Sequence, residues 1–398
     1  MTTHASTVLA PTVATPQPAP QERTGPSLLR ASGVAVGLFL GARLAGVAVL
    51  ALVVPAGGRH PLALLGRSWD SVWYLAIAAH GYGHDLPSRV PGEHSDLAFF
   101  PLYPALVRTV TALVPLGGGA AGLLVSWTAA VVAAAGIHAV GARLHGRATG
   151  VALVVLWGLL PHSVVLSMAY TEPLLTAFAA WSLYAVLAGS WLWAGALAAL
   201  AGLSRPNGFA VAAAVLAAAG AEVWRRRGRV SHRLWTGAAL APLGWTAYVL
   251  WVGRRKGNLL DGYFEVQRQW GSRFDLGRGS WQFVRGLLLN GHRMVFPMAL
   301  VIVAAGVLLY VLLLLERAPL PLVVHSGVLL LIALGGSGYF ESKPRFLLPA
   351  FPLLLPLAGA LVRTARARPW HATVIVAALA GLSYVYGAYL LVFARAPL

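Results

Sequence analysis

The chain has 398 residues, of which 58% are hydrophobic and 11% are charged, with a formal net charge of +18 and no cysteine. Soluble domains carry roughly 25% charged residues, so this composition predicts an integral membrane protein. The absence of cysteine excludes disulfides, thiolate metal sites and cysteine nucleophiles. The basic residues are scattered between apolar segments, so we expect them to set topology and contact anionic lipid rather than nucleic acid.

Two regions are predicted along the chain. Residues 1–32 are rich in Pro, Thr and Ala and are expected to form a disordered cytoplasmic tail. Residues 33–398 are predicted to be an all-α domain of about 11 transmembrane helices. The predicted spans lie near residues 33–55, 119–140, 148–166, 173–189, 191–204, 207–223, 234–253, 294–315, 319–336, 345–362 and 371–393.

Orientation follows from the short basic clusters, which tend to stay on the cytoplasmic side. If the N-terminus is cytoplasmic, the clusters at residues 143–147, 224–233 and 363–368 all fall inside. The long loops 56–118 and 254–293 then lie outside. Of the 12 carboxylates in the chain, only Glu22, Glu222 and Glu316 are left inside. We therefore expect any chemistry on the extracytoplasmic face of a cell membrane.

Asp70 opens the mostly apolar segment DSVWYLAIAA in the first outer loop. This segment is typical of a short helix lying at the membrane interface. Asp70 is open to two interpretations at this point: an aspartate before an apolar run is a common helix N-cap, and a carboxylate kept at the membrane boundary is also a candidate catalytic group.

The segment FFPLYP follows in the same loop, with Phe99 and Phe100 before its first proline and Tyr103 between its two prolines. Aromatic side chains suit the headgroup layer, so this segment is either an interfacial anchor or one wall of a groove for a lipid substrate. Either role would be built on interfacial helices in the first loop.

Polar residues recur at three later junctions that the threading puts outside. These are Glu172 in AYTEP, Arg205 and Asn207 in LSRPNGF, and Lys343 and Arg345 in ESKPR. Helix capping and snorkelling anchors would explain them. Alternatively, the cationic side chains would hold a phosphate, for which the planar fork of arginine is well suited.

No metal and no cofactor are expected. His80 and His84 are four residues apart, but the glycines beside them disfavour a helix and the glutamate of a zinc-protease helix is missing. GGSG at residues 335–338 lacks the Lys-Ser/Thr of a phosphate-binding loop, and no GxSxG motif occurs.

WDSVWYLAIAAHGY followed by AFFPLYP resembles the first luminal loop of the second GPI mannosyltransferase family (the PIG-V class). YTEP, SRPNG and PRFLLPAFP look like later motifs of that family, in the same order. The resemblance implies a GT-C membrane glycosyltransferase that takes mannose from a polyprenyl-phosphate carrier, with Asp70 as the catalytic base. The link GHDLPSRVPGEHSDL departs from the family pattern, and leaves open which of Asp85, Glu93 or Asp96 replaces the family's second acid.

The residues fit that chemistry. Sugar transfer from a lipid phosphate needs a base for the acceptor hydroxyl and cations for the leaving phosphate. We predict Asp70 as the base and an extracytoplasmic glycolipid, glycan or protein as acceptor. The predicted substrate-binding residues are Trp69, Tyr82, Phe99, Phe100, Tyr103, Glu172, Arg205, Asn207, Lys343 and Arg345. The alternative is a polytopic transporter or lipid flippase, which predicts inverted repeats and polar residues at mid-membrane. Arg43, inside the first predicted span, is the one charged residue that the sequence puts at such a position.

Overall fold

The structure is a computed structural model, and it describes residues 26–54, 60–83, 94–290 and 293–394. It is built almost entirely of helices, as predicted. The first half of the chain contains α1 (Pro26–Val53), α2 (Pro61–Gly66), α3 (Asp70–His80), α4 (Leu102–Leu113), α5 (Gly118–His145), α6 (Arg147–Gly158), α7 (Glu172–Leu187), α8 (Trp191–Ser204) and α9 (Phe209–Arg225). Since α1 already starts at Pro26, residues 26–32 of the predicted tail are helical. Proline is well suited to the first position of a helix.

The second half continues the helical pattern and adds two very short strands. Its elements are α10 (His232–Leu240), α11 (Leu243–Arg255), α12 (Gly262–Gln269), β1 (Arg273–Phe274), α13 (Arg278–Asn290), α14 (Val295–Leu315), α15 (Leu320–Gly335), β2 (Gly336–Ser337), α16 (Lys343–Phe346), α17 (Leu355–Ala367) and α18 (Pro369–Tyr389). The strands pair antiparallel, with Arg273 opposite Ser337. This pairing fastens the segment between α12 and α13 to the end of α15.

The core is centred on α5, which packs against α1, α4, α6 and α7. Its buried positions are mostly Ala and Gly, and small residues let helix backbones approach closely in a membrane. At Gly141 an added Cβ would lie 2.8 Å from the Cα of Gly150 on α6. A larger residue at either glycine would push the two helices apart.

Within the described ranges, five helices are long and apolar enough to cross a membrane, and six if a pair bent by 79° is one span. Five more apolar helices have only 10 to 17 residues. The chain is therefore a helical membrane protein with helices at the predicted places, while the predicted count of 11 spans is not confirmed.

Prolines account for the interrupted spans. The predicted span 148–166 is α-helical only as far as Gly158, because Pro161 disfavours helical backbone in the residue before it, and a short 3-10 helix follows at Ser163–Ser167. Pro242 separates α10 from α11, and Pro349 lies in the 79° bend between the helices at Phe340–Phe346 and Phe351–Ala367. The breaks at Pro161 and Pro349 leave irregular backbone inside the bundle, next to the site described below.

Candidate functional site

Asp70 is the first residue of α3, and the N-cap position belongs to Trp69. Trp69 has a φ of 47°, a backbone conformation that costs residues other than glycine about 1–3 kcal/mol. Residues with such strained backbone cluster at functional sites. The Asp70 backbone N–H donates to the Tyr170 hydroxyl at 3.3 Å. The Asp70 carboxylate caps no helix among the described residues and contacts a distant arginine instead, which disfavours the capping interpretation.

That arginine is Arg345, in the short helix α16. Its Nη1 donates to Asp70 Oδ2 at 2.7 Å, and its Nε lies 3.8 Å from Glu172 Oε1. One guanidinium therefore lies between two carboxylates that come from separate parts of the chain. The contact with Asp70 is a charge-assisted hydrogen bond, a kind about twice as strong as a neutral one.

Glu172 is also paired with Arg205, through Arg205 Nη1 and Glu172 Oε1. The same nitrogen donates to the Thr171 hydroxyl at 3.0 Å. Glu172 is in the first turn of α7, where the partial positive charge of the helix N-terminus favours a carboxylate. Arg205 follows the last residue of α8 and ends that helix with extended backbone. Two helix ends therefore face each other across this ion pair.

We call Asp70, Glu172, Arg205 and Arg345 the charge cluster. Two carboxylates and two guanidinium groups cancel, so its formal charge is zero. Its side chains differ in burial: Glu172 is 1% and Arg205 7% exposed, whereas Arg345 is 10% and Asp70 20% exposed. Asp70 is thus the member most accessible to a substrate.

Aromatic rings enclose the cluster. The guanidinium carbon of Arg345 lies 5.6 Å from the centre of the Tyr170 ring and 5.4 Å from that of Phe346. The Tyr74 hydroxyl is 3.3 Å from the Thr171 hydroxyl. Burial raises the pKa of Tyr74 to about 12, so this phenol stays protonated. The rings exclude water and strengthen the electrostatic interactions within the cluster.

The irregular segment 159–171, between α6 and α7, carries Tyr170 and Thr171. Arg43 from the middle of α1 donates to Gly158 O at 2.7 Å, to the Ser167 hydroxyl at 3.2 Å and to the Ser163 hydroxyl. Arg43 is 2% exposed. Unpaired backbone carbonyls are costly in hydrocarbon, so this arginine satisfies the end of a broken helix, which gives a structural reason for its place within a span.

Ser126 of α5 fastens the other end of the segment. Its hydroxyl donates to Tyr170 O at 2.8 Å and accepts from Tyr170 N at 3.1 Å. The backbone N–H of Ala169 also donates to Leu65 O at 2.9 Å. The segment is therefore held by α1, α2 and α5 together, and it presents Tyr170 to Asp70.

The aromatic residues of the first loop are mostly packed inside. Phe99, Phe100 and Tyr103 are 7%, 0% and 0% exposed, and the Tyr103 hydroxyl donates to Gly122 O at 2.8 Å. Two of them pack against α3: the Phe99 ring is stacked 5.6 Å from Trp73, and the Tyr103 ring lies 5.3 Å from Tyr74. Phe100 packs instead against Tyr248, at 4.3 Å between ring centres. These side chains do not form the open wall of a groove in this structure, and their contact with a substrate stays a prediction.

Tyr82 is different, because it borders a groove of about 270 Å³ with a nearly apolar lining. The groove is formed by Tyr82, Pro101, Leu203, Ala247, Tyr248 and Trp251. Arg255 lies over the Trp251 ring at 4.5 Å. The Tyr248 hydroxyl donates to Phe99 O at 2.7 Å, which joins the groove to the aromatic residues packed against α3.

Lys343 does not join the charge cluster. Its ammonium donates to Ser280 Oγ at 2.5 Å, Ala333 O at 2.7 Å and Gly336 O at 2.6 Å. All three of its protons are used to fasten α13 to the end of α15, so the structure gives Lys343 a structural role where we predicted a phosphate ligand. Asn207 is buried in the turn that follows Arg205.

The acids proposed for the first loop are only partly described. Asp85 and Glu93 lie outside the described residues. Asp96 is 5% exposed and its Oδ2 accepts a hydrogen bond from Gly83 N at 2.7 Å. It therefore stabilises the loop after α3. His80 is described and His84 is not, and among the described residues no three His, Asp or Glu side chains could hold a metal ion together.

Sequence reasoning missed Tyr74 and Phe346 as members of the site. Tyr74 is four residues after Asp70, so both lie on one face of α3, a spacing that could have identified it. Phe346 follows Arg345 directly, but nothing in the sequence says which neighbour of an arginine stacks on it.

No family model and no curated protein sequence matches this chain. Several solved structures do match this chain. The crystal structure of the Archaeoglobus fulgidus oligosaccharyltransferase in complex with zinc and sulfate is 14% identical, with a TM-score of 0.50 over 91% of this chain and 54% of that one. A structure of the archaeal oligosaccharyltransferase AglB from Archaeoglobus fulgidus, in complex with an inhibitory peptide and a dolichol-phosphate, is 13% identical with a TM-score of 0.47, over 89% of this chain and 55% of that one. This chain spans about half the length of those proteins. Over the aligned region, this chain therefore has the fold of that oligosaccharyltransferase.

Proposed function

We propose that this protein is a membrane glycosyltransferase that transfers mannose from a polyprenyl-phosphate-mannose donor to an extracytoplasmic glycolipid, glycan or protein. The observation that carries the proposal is the meeting of Asp70, Glu172, Arg205 and Arg345 in one cluster. They come from four distant segments, and each belongs to a motif that resembles the second GPI mannosyltransferase family. The fold shared with the archaeal oligosaccharyltransferase supports the enzyme class, and the sugar rests on the family resemblance.

The proposed reaction has one chemical step. The acceptor oxygen forms a bond to the anomeric carbon while its proton passes to Asp70. The bond between that carbon and the phosphate oxygen breaks, and its electron pair stays on the phosphate. General base catalysis of this kind contributes about 10²–10⁴-fold to a rate. Asp70 is the accessible carboxylate of the cluster, which suits it to meet an acceptor.

Arg345 and Arg205 would stabilise the charge that develops on the leaving phosphate. A guanidinium binds phosphate oxygens through paired N–H groups, and the surrounding rings keep the site poor in water. Glu172 would hold both arginines in place through its contacts with them. The groove beside Tyr82 is nearly apolar, and it would accept the hydrocarbon chain of a lipid-linked substrate.

The donor assignment is tested by labelled sugar transfer. Membranes from cells that express the protein, and from cells that do not, receive polyprenyl-phosphate-[¹⁴C]mannose or the same carrier with glucose. We expect label from the mannose donor in a new glycosidic product only when the protein is present. Equal transfer from both carriers would contradict the sugar assignment. No transfer from either would contradict the donor class.

The same experiment separates the enzyme from a lipid flippase. A flippase would move the labelled donor across a vesicle membrane without forming a glycosidic bond. Arg43, the residue inside a span that favoured transport, is accounted for by its contacts with Gly158 and with the two serines of segment 159–171. Donor movement without a labelled product would favour the flippase.

A further inference from the structure

We infer that Arg345 exchanges partners during the reaction: it is paired with Asp70 before transfer and binds the leaving phosphate once Asp70 has taken up the acceptor's proton. This inference rests on the proposed function and links its two parts, the uptake of the proton by Asp70 and the departure of the phosphate. A single guanidinium would then connect the general base to the leaving group.

The hydrogen bonds of Arg345 leave one edge of its guanidinium unused. Nη1 donates to Asp70, but Nε is buried without a hydrogen bond, because the Glu172 oxygen at 3.8 Å is beyond hydrogen-bond range. Nη2 also makes no hydrogen bond to the described residues. Nε and Nη2 together form the edge with which arginine binds two oxygens of a carboxylate or phosphate. A buried donor without a partner is costly, and a phosphate at this edge would satisfy it.

The charges give the exchange a direction. Before substrate binds, the cluster sums to zero, with Arg345 shared between Asp70 and Glu172. The donor phosphate is a diester with one negative charge, and the product is a monoester that can carry two. Asp70 loses its negative charge in the same step, when it accepts the proton. The attraction between Asp70 and Arg345 therefore falls as the attraction between the phosphate and Arg345 rises.

The exchange of partners predicts that Asp70→Asn, a variant without the catalytic base, binds the product more tightly than the unmodified protein does. Asp70→Asn cannot act as the base, but its neutral side chain resembles the protonated Asp70 of the product state. Arg345 is then no longer held by Asp70, so the variant should bind the product, a polyprenyl monophosphate, about tenfold more tightly than the unmodified protein. Tenfold corresponds to 1.4 kcal/mol, which is within the range of a close ion pair near a protein surface.

The experiment measures the dissociation constant of a polyprenyl monophosphate for the full chain in nanodiscs. The matched control is Asp261→Asn. Asp261 is paired with Arg268 through a hydrogen bond of 3.0 Å on the second outer loop, and both side chains are 41–49% exposed. This control removes the same charge from the predicted outer face and leaves Arg345 untouched, so it should not change the affinity.

Two further variants make the test specific. Asp70→Ser removes the same charge with a smaller side chain, so it should show the same gain if Asp70→Asn does not fold. In an Arg345→Met background, Asp70→Asn should give no gain. The inference is overturned if neither Asp70 variant binds more tightly, if Asp261→Asn gains as much, or if the gain persists without Arg345.

The outcomes also separate this inference from the proposed function. If the unmodified protein binds the polyprenyl monophosphate and the Asp70 variants bind it no better, only the exchange of partners is wrong. If neither the unmodified protein nor any variant binds it, the proposed lipid-phosphate substrate is wrong, and the inference fails with it.

Discussion

Asp70 and Arg345 form a hydrogen-bonded ion pair of 2.7 Å although 275 positions separate them in the chain. The pair joins the start of α3 to the short helix α16, beside the bend at Pro349. It therefore couples the proposed base to the part of the protein that would hold a phosphate.

Arg345→Lys should lower kcat at least about tenfold while the protein stays folded. Lysine keeps the charge but lacks the planar fork that reaches Asp70, Glu172 and a phosphate together. The measurement is kcat and the melting temperature of purified protein, with Arg268→Lys as control, because Arg268 forms an exposed pair with Asp261. An unchanged kcat would remove Arg345 from the proposed reaction.

Glu172→Gln should destabilise the protein by about 3–5 kcal/mol, because it leaves buried Arg205 without its ionic partner. The matched control is Glu222→Gln. Glu222 pairs with Arg225 and Arg226, which are 73% and 59% exposed, and such surface pairs contribute about 0–1 kcal/mol. Thermal unfolding in the same detergent compares the two. Similar losses in both variants would contradict the structural importance of the buried pair.

Arg43→Met should lower kcat with a smaller effect on donor KM, and Arg43→Lys should recover part of the loss. Arg43 contacts no predicted substrate residue. It binds Gly158, directly before the segment that carries Tyr170, and Ser167 within that segment. Loss of this anchor should misplace the Tyr170 hydroxyl that contacts Asp70 N. Steady-state kinetics at saturating acceptor measures both constants. Full activity in Arg43→Met would show that the segment keeps its place without this anchor.

Lys343→Met should lower the melting temperature and leave donor KM unchanged within about twofold. Three hydrogen bonds to Ser280, Ala333 and Gly336 would be lost, and each is worth about 1 kcal/mol, or somewhat more when charged. Ser280→Ala, which loses one of them, should give a smaller decrease. A large rise in KM with an unchanged melting temperature would return Lys343 to the role of phosphate ligand.

The difference between Lys343 and Arg345 shows where sequence reasoning ends. The two residues are equally cationic and lie in one motif, so composition and spacing predicted both as phosphate ligands. In helical backbone, residues two positions apart point in different directions. Arg345 thus faces Asp70, while Lys343 faces α13. Which of the two enters the cluster depends on the position at which α16 begins, and it begins at Lys343.

The same limit applies to the apolar segments. Hydrophobic runs predicted where the helices lie, and the motifs predicted the residues that meet at Asp70. The runs did not predict that the α-helix in the 148–166 span ends at Gly158. That end depends on Pro161 and on Arg43, which contacts Gly158 from another helix. Nor could they separate buried Phe100 from half-buried Tyr82, since both are aromatic residues of the same loop.

The most direct test of the central claim compares sugar transfer by the unmodified protein, Asp70→Asn and Asp261→Asn in membranes at matched expression. Removal of a general base lowers rates by about 10²–10⁴-fold. We expect a loss in this range for Asp70→Asn, with a normal melting profile, and full transfer for Asp261→Asn. Equal transfer by all three proteins would contradict it and leave Asp70 as a structural partner of Arg345.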